Sequence, residues 1–193
     1  MLVNAVGFGI VGLAGDGPVG LDRRWREFFA GHRSPFADAL ALALNSIGGT
    51  VVMSVVTGVV VLLMMARRRW TSAIAIALAV ALSTVASELL KSATDRPRPS
   101  GALLSLGSSS YPSGHSTAAA AFALALFYAY PRVWTRVFAA VWIPLMAWSR
   151  TYLSVHWLSD VAAGALLGIS VAVLVFGVCA VSRRGDTDVL ALA

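Results

Sequence analysis

Long apolar runs, broken by short polar segments, make up most of this chain. An α-helix needs about 20 mostly apolar residues to cross the hydrocarbon core of a bilayer, where it satisfies its own backbone hydrogen bonds. Five runs reach or approach that length, at residues 39–66, 70–90, 116–130, 133–148 with an extension to 153, and 157–181. The pattern therefore predicts an all-α fold, a polytopic membrane helical bundle.

The N-terminal part of the chain is less regular. Residues 1–14 are apolar but short for a span, and their length also suits the apolar region of a signal peptide or an interfacial segment. We interpret them as a short first span, which gives about six transmembrane helices in all. Within residues 21–36, Leu21, Trp25 and Phe28 recur at helical spacing among charged residues, which is typical of a helix lying in the membrane interface. Residues 1–193 are thus predicted to form a single membrane domain.

The composition excludes several other classes of protein. Of 193 residues, 58% are hydrophobic and 12% are charged, and the mean hydropathy is +0.78, unlike a soluble domain. The single cysteine, Cys179, allows neither a disulfide framework nor a cysteine metal site. The net charge of +6 does not indicate nucleic-acid binding, because the arginines are dispersed at helix ends. The lipid bilayer is the expected partner.

The arginine clusters predict an orientation. Residues 67–69, residues 132 and 136, and residues 183–184 lie at alternate loop ends, so the positive-inside rule assigns them to the cytoplasmic side. Apart from the motif cations described below, that side carries seven Lys or Arg residues against five on the other. We expect a multi-pass protein of the cell membrane whose polar motifs face the extracytoplasmic side.

The first polar motif joins Lys91, at the end of an apolar run, to Arg98 in the proline-broken segment that follows. Arg98 lies within residues 92–114, which we interpret as an active-site loop, and Lys91 directly precedes that loop. The three nonbridging oxygens of a phosphoryl group need several fixed positive donors, and a guanidinium can meet two oxygens at once. Taken alone, the motif also fits a snorkelling lysine followed by a basic interfacial loop.

The second motif, Pro112-Ser113-Gly114-His115, opens the next predicted helix. Ser113 suits the N-cap, and the backbone N–H groups of Gly114 and His115 would be among the first-turn donors that make a helix N-terminus an anion site. The motif also fits an ordinary helix start. It nevertheless places an ionisable ring beside an anion site.

The third motif begins with Arg150 at the end of an apolar run and continues with His156 and Asp160 at the start of the last one. A separation of four residues puts His156 and Asp160 on one helix face, so the carboxylate can accept a hydrogen bond from one imidazole nitrogen and leave the other free to react. A satisfied polar pair at the interface is the alternative. With three histidines, no HExxH motif and no carboxylate cluster, neither a metal nor another cofactor is expected.

These motifs resemble the three-part signature of the type 2 phosphatidic acid phosphatase superfamily, which reads K-x6-RP, PSGH and SR-x5-H-x3-D. All eleven specified positions are present in order between Lys91 and Asp160. The resemblance implies six helices and a metal-independent active site at the extracytoplasmic boundary. A second Arg-Pro pair begins at Arg96, and the family spacing selects Arg98 instead.

The resemblance also implies a role for each motif residue. His156 would attack phosphorus and become a phosphohistidine, with Asp160 orienting its ring. His115 would protonate the leaving oxygen and then activate water. The phosphate oxygens would be held by Lys91, Arg98, Ser113, Gly114 and Arg150.

The leading hypothesis is therefore a lipid phosphate or pyrophosphate phosphatase, acting on a polyprenyl pyrophosphate, phosphatidate or phosphatidylglycerophosphate, with a mild preference for the polyprenyl carrier. A transferase that passes the phospho-head group from the same intermediate to an alcohol is an alternative. A noncatalytic lipid-phosphate binder or transporter is another, although the two histidines and the carboxylate speak against it. The hydrophobic composition argues against the soluble vanadium haloperoxidases, which share the oxyanion pocket. Oligomeric state is not indicated by the sequence.

Overall fold

The computed structural model describes residues 17–104, 107 and 109–191, with side chains as far as residue 180. Within this part of the chain the secondary structure consists of helices alone, which confirms the all-α prediction. The helices are α1 (Gly20–Gly31), α2 (Pro35–Ile47), α3 (Thr50–Ala66), α4 (Trp70–Ser92), α5 (Gly114–Ala129), α6 (Val133–Tyr152) and α7 (Leu158–Ala191).

Helix length and composition assign membrane spans to part of this bundle. Helix α4 and the Leu158–Ala180 portion of α7 are each long and apolar enough to cross a bilayer, and α2 and α3 together would add a third span. Helix α5 is apolar but has 16 residues. The chain is a helical membrane protein. The count of about six spans stays a prediction, and the first of them, at residues 1–14, lies outside the described residues.

The span predicted at residues 39–66 is not one continuous helix. The structure has two helices there, α2 and α3, which are bent by 56°. The break falls at Gly48 and Gly49, and a side chain at Gly48 would collide with Met146 of α6. Glycine inside a helix is destabilising, because it loses more conformational entropy on folding than other residues do. Hydropathy does not reveal such a break, because two glycines leave the apolar run uninterrupted.

The predicted interfacial segment at residues 21–36 corresponds to α1, which is shorter because it ends at Gly31, and the last residues of the segment belong to α2. Leu21 and Phe28 are 61% and 54% exposed, as the lipid-facing side of an interfacial helix requires. Asp22 differs from the expectation for a charged residue of such a helix. It is buried, and it contacts the interior of the bundle.

Helix α5 lies at the centre of the bundle, against α4, α6 and α7. Its many buried alanines allow the neighbouring helices to approach closely. Helix α7 comes so near that a Cβ atom on Gly164 would lie 2.5 Å from the Ser113 carbonyl oxygen, and one on Gly168 would collide with the Thr117 carbonyl oxygen. These glycines therefore fix the depth to which α7 packs on α5.

The two ends of the bundle carry different polar residues. At one end, the Arg67 side chain donates to the Tyr130 hydroxyl at 3.4 Å, and the Arg69 guanidinium lies 4.4 Å from the centroid of the same ring. At the other end, α4 finishes at Lys91 and Ser92, and α5 begins beside them. The arginine cluster at residues 67–69 and the sequence motifs thus lie at opposite ends of α4.

Candidate active site

The three motifs meet in one pocket of about 190 Å³ at the end of the bundle where α5 begins. Glu88, Gly48 and apolar or small residues of α3, α4 and α5 form the remaining wall. Ser113 and Asp160 are buried without lining the pocket. The structure brings together here the motif residues Lys91, Arg98, Gly114, His115, Arg150 and His156.

His156 lies in the short connection between α6 and α7 and is 4% exposed. Its Nδ1 atom is 2.7 Å from the Ser110 carbonyl oxygen, and its Nε2 atom is 3.4 Å from Nη1 of Arg98. A carbonyl oxygen can only accept a hydrogen bond and a guanidinium can only donate one. Nδ1 therefore carries the proton, and Nε2 presents a lone pair, as a nucleophile must.

The electrostatic surroundings keep the His156 ring neutral. Burial lowers the pKa of His156 well below its usual value of 6.5, and the cations Arg150, Arg98 and Lys91 lower it further. The hydrogen bond to the Ser110 carbonyl acts in the opposite direction but is outweighed. A protonated imidazole has no lone pair with which to attack, so the lowered pKa keeps His156 in its reactive form at neutral pH.

The contact predicted between His156 and Asp160 is not a direct hydrogen bond. His156 precedes the first turn of α7, so the spacing of four residues does not produce helical geometry. The distance from Asp160 Oδ2 to His156 Nδ1 is 3.6 Å, too long for a hydrogen bond, and the Ser110 carbonyl accepts the Nδ1 proton instead. Asp160 accepts from the Trp157 backbone N–H at 2.8 Å and from Arg96 Nη1 at 2.7 Å. Its carboxylate lies close to the ring and is paired with the Arg96 guanidinium.

Arg98 is held in place by backbone carbonyl groups. Its Nη1 atom donates to the Val155 carbonyl oxygen at 2.6 Å, and its Nη2 atom donates to the Ser109 carbonyl oxygen at 3.2 Å. Burial lowers the pKa of Arg98, which the charge of Asp160 opposes, and the guanidinium remains charged at neutral pH. The contacts fix a cation directly beside Nε2 of His156.

Arg150 and Lys91 complete the positive wall of the pocket. Arg150 is buried at the end of α6, where Nη1 pairs with the amide oxygen of Asn45 and Nε has no hydrogen-bond partner among the described residues. Lys91 Nζ lies 2.6 Å from Glu88 Oε1. A Cβ atom on Gly114 would lie 3.0 Å from Lys91 Nζ, so the glycine leaves room for the ammonium at the start of α5.

Asn45 is a site residue that sequence reasoning missed. The Nε2 atom of His115 lies 3.3 Å from the Asn45 carbonyl oxygen, and the Asn45 side chain pairs with Arg150. Helix α2 thus contacts two motif residues at once through Asn45. The available signal was an amide within an apolar run, which is costly in a membrane bundle unless the amide is bound.

Ser113 caps α5, as its sequence position predicts. Its hydroxyl oxygen accepts the Ser116 N–H at 3.5 Å, and its own N–H donates to the Asp160 carbonyl oxygen at 3.1 Å. The residue therefore ties the start of α5 to the start of α7. Its contact with phosphate stays a prediction.

Arg96 and Asp22 form a buried ion network with Asp160 that the sequence did not reveal. Arg96 Nη1 lies 2.7 Å from Asp160 Oδ1, and Arg96 Nη2 lies 3.1 Å from Asp22 Oδ2. The signal was the second Arg-Pro pair, which the family spacing leaves aside in favour of Arg98. The position of Asp22 in an amphipathic segment gave no indication of its burial.

Within the part of the chain that the structure describes, no three His, Cys, Asp or Glu side chains are grouped in a way that could hold a metal ion. The metal-independent reaction remains a prediction that a chelator can test.

Comparison with known proteins places the chain in a family. The PAP2 superfamily model matches residues 70–184. The chain is 43% identical over 60 residues to YbjG of Escherichia coli (strain K12), whose assignment as an undecaprenyl-diphosphatase is provisional, and 41% identical over 59 residues to an undecaprenyl-diphosphatase of Sulfolobus acidocaldarius. Each alignment covers 31% of this chain, and they span 30% and 28% of the two relatives.

Two crystal structures share the fold. A transmembrane PAP2-type phosphatidylglycerolphosphate phosphatase from Bacillus subtilis superposes with a TM-score of 0.79 at 23% identity, covering 91% of this chain and 94% of its own. LpxE of Aquifex aeolicus gives a TM-score of 0.73 at 23% identity, covering 82% and 96%. The chain is a membrane protein of helical fold with two histidines and three cations in one pocket. It belongs to the PAP2 superfamily.

Proposed function

We propose that this protein is a membrane-integrated lipid phosphatase that removes a terminal phosphate from a lipid phosphate or diphosphate. The observation that carries the proposal is the state of His156, whose unprotonated Nε2 atom lies beside Arg98 in the pocket that also holds Arg150 and Lys91. Attack on a phosphoryl group builds negative charge on its oxygens, and preorganised cations stabilise that charge. A nucleophile surrounded by three cations suits this reaction.

The reaction has two displacements. His156 Nε2 attacks phosphorus, and the bond to the leaving oxygen breaks. Burial and the charge of Arg150 lower the pKa of His115 to about 3, so His115 takes up a proton only when the negative charge of the bound phosphate group offsets these effects, and it gives that proton to the leaving oxygen. His115 then takes a proton from water, and the resulting hydroxide attacks the phosphohistidine, which frees inorganic phosphate and His156. The His156 ring is positively charged in the intermediate, where the Ser110 carbonyl and the Asp160 carboxylate stabilise it. The phosphate oxygens are held by Lys91, Arg98, Arg150, Ser113 and the backbone N–H of Gly114.

A polyprenyl diphosphate is the preferred substrate. Both relatives carry the name undecaprenyl-diphosphatase, and the pocket wall includes the apolar residues Met53, Val80 and Ala118 beside the cations. An apolar wall next to a cationic pocket suits a phosphate attached to a long hydrocarbon. Phosphatidate and phosphatidylglycerophosphate belong to the same chemical class and complete the substrate panel.

The site faces the extracytoplasmic side of the cell membrane in this proposal. The positive-inside rule assigns residues 67–69 to the cytoplasm, and the pocket lies at the other end of α4. The proposed topology has six spans, of which the first, at residues 1–14, lies outside the residues that the structure describes.

Release of inorganic phosphate from the lipid panel by the purified protein in detergent tests the proposal. His156→Ala removes the nucleophile and should lower kcat by about three decades or more. His32→Ala is the matched control, because this exposed histidine follows α1, contacts Phe28 of that helix and lies outside the pocket. Its kcat should match that of the unaltered protein. Near-normal kcat in His156→Ala would contradict the mechanism.

Two further arms separate the alternatives. A chelator should leave the rate unchanged, and activity that is lost with the chelator and regained with added metal would overturn the metal-free site. Added alcohols distinguish hydrolysis from transfer. If the phosphoryl group appears on the alcohol and no free phosphate forms, the protein is a transferase.

A further inference from the structure

Arg96 lies between two carboxylates in the interior of the protein. Its side chain is 1% exposed, as is that of Asp22, and the side chain of Asp160 is fully buried. Taking three charges out of water carries a large desolvation cost, and an ion network in such a place is a weak source of stability compared with apolar packing. Its position against Asp160 therefore calls for an explanation other than stability.

Asp22 brings the interfacial helix α1 into this network. One carboxylate oxygen accepts the Ser159 backbone N–H at 2.8 Å, and the other accepts the Ser159 hydroxyl at 2.7 Å. Ser159 lies in the first turn of α7, directly before Asp160. The carboxylate thus satisfies one of the N–H groups that a helix start leaves unpaired, and it fixes the turn from which Asp160 projects.

Arg96 contacts both groups that lie near the Nδ1 proton of His156, namely the Asp160 carboxylate and Ser110. Its side chain bonds Asp160 at 2.7 Å, and its backbone carbonyl oxygen accepts the Ser110 N–H at 3.0 Å. The Ser110 carbonyl in turn accepts the Nδ1 proton of His156. One residue thereby sets the position of the hydrogen-bond acceptor and of the nearby negative charge.

Helix α1 is also attached to the active-site loop itself. The Arg26 guanidinium donates to the Ser100 carbonyl oxygen at 2.7 Å from Nη2 and 3.2 Å from Nε. The Arg96 guanidinium donates to the Gly17 carbonyl oxygen at 2.9 Å. The helix with the exposed apolar face is therefore bound to the loop and to α7 at the same time.

We propose that Asp22 and Arg96 are positioning residues of the active site. Through them, the interfacial helix α1 keeps Asp160 and the Ser110 carbonyl in place beside His156. This inference rests on the proposed phosphatase function. It differs from a purely structural attachment of α1, because it requires the chemical step to depend on Asp22 even in a protein that is fully folded.

Steady-state kinetics on the full chain, with a polyprenyl diphosphate as the probe, distinguish a positioning role of Asp22 and Arg96 from a purely structural attachment of α1. Asp22→Asn keeps the shape and removes the charge, and kcat should fall about tenfold with KM within about twofold. Arg96→Gln should lower kcat about a hundredfold, and Arg96→Lys should recover part of the loss. The double variant should be no slower than Arg96→Gln alone, because both residues act through Asp160.

Glu27→Gln is the matched control, since Glu27 is an exposed carboxylate on the same helix; its kcat and KM should not change. The positioning role is overturned if folded Asp22→Asn and Arg96→Gln variants keep kcat within about twofold, or if their losses multiply independently in the double variant. If Asp22→Asn does not fold, Ser159→Ala decides, because it removes one donor to Asp22 and leaves all charges. A threefold or larger fall in its kcat supports the inference, and an unchanged kcat contradicts it.

The same assay keeps the two proposals apart. An unaltered protein that releases no phosphate from any member of the lipid panel contradicts the phosphatase function. An unaltered protein that is active, with equally active Asp22 and Arg96 variants, contradicts the positioning role alone.

Discussion

Replacing Arg98 with lysine tests whether the geometry of the guanidinium matters beyond its charge. Arg98 uses two different nitrogens, one toward the Val155 carbonyl oxygen at 2.6 Å and His156 Nε2 at 3.4 Å, and one toward the Ser109 carbonyl oxygen at 3.2 Å. A lysine ammonium is a single point and cannot span these partners. The substitution keeps the positive charge and loses the fork that aims it.

The expected loss follows from the contacts. A hydrogen bond to a charged group contributes about 1.5–3 kcal/mol, and one misplaced donor to transition-state charge costs about 100-fold to 1,000-fold in rate. We therefore expect Arg98→Lys to lower kcat/KM for lipid phosphate hydrolysis about 100-fold, which corresponds to about 2.7 kcal/mol. Phosphate release in detergent, measured over a range of substrate concentrations, provides the number.

Arg33→Lys is the control for the same chemical change. Arg33 also uses two nitrogens, toward Asp38 Oδ1 at 3.3 Å and 3.0 Å, but this pair is exposed and lies outside the pocket. Its kcat/KM should stay within about twofold of the unaltered protein, as expected for a surface ion pair. If Arg98→Lys retains more than about a fifth of kcat/KM, the cation beside His156 acts by charge alone and the argument from its geometry is refuted.

Two other consequences of the structure can be measured directly. Burial and neighbouring cations hold the pKa of His156 well below 6.5. We therefore expect kcat/KM to stay constant as the pH falls through 6.5 and to decline only at lower pH, where His156 takes up a proton. A decline of kcat/KM centred near pH 6.5 would contradict the neutral, buried nucleophile. Gly168→Ala should lower the melting temperature of the detergent-solubilised protein, because its Cβ atom would meet the α5 backbone at Thr117 and overpacking costs about 1–3 kcal/mol. Gly58→Ala is the control and should leave the melting temperature unchanged, since its Cβ atom would meet nothing within 4 Å.

The fold was predictable where a single helix explains the pattern. The apolar runs at residues 70–90 and 133–153 correspond closely to α4 and α6, because hydrophobicity and helix length are properties of consecutive residues. The bend at Gly48 was not predictable in the same way. The Met146 side chain lies against Gly48, and it comes from a distant helix that spacing along the chain does not identify.

The chemistry of the motifs was also predictable from the sequence, since the residues that would bind phosphate lie at short, characteristic spacings along the chain. The motifs indicated Lys91, Arg98, His115, Arg150 and His156, all of which line the same pocket. The hydrogen bond expected between His156 and Asp160 shows where this reasoning ends. It assumed helical geometry for both residues, but α7 begins only at Leu158.

By itself, the sequence determined that this protein is a helical membrane protein of the PAP2 superfamily with two histidines and three cations available for phosphate chemistry. The tertiary structure decided which atoms complete the site. The Ser110 carbonyl accepts the His156 proton, Asn45 holds His115 and Arg150, and Asp22 reaches Ser159 across 137 positions of the chain. The physical reason is that periodicity and spacing act over a few residues, whereas buried polar groups find their partners wherever packing brings them together.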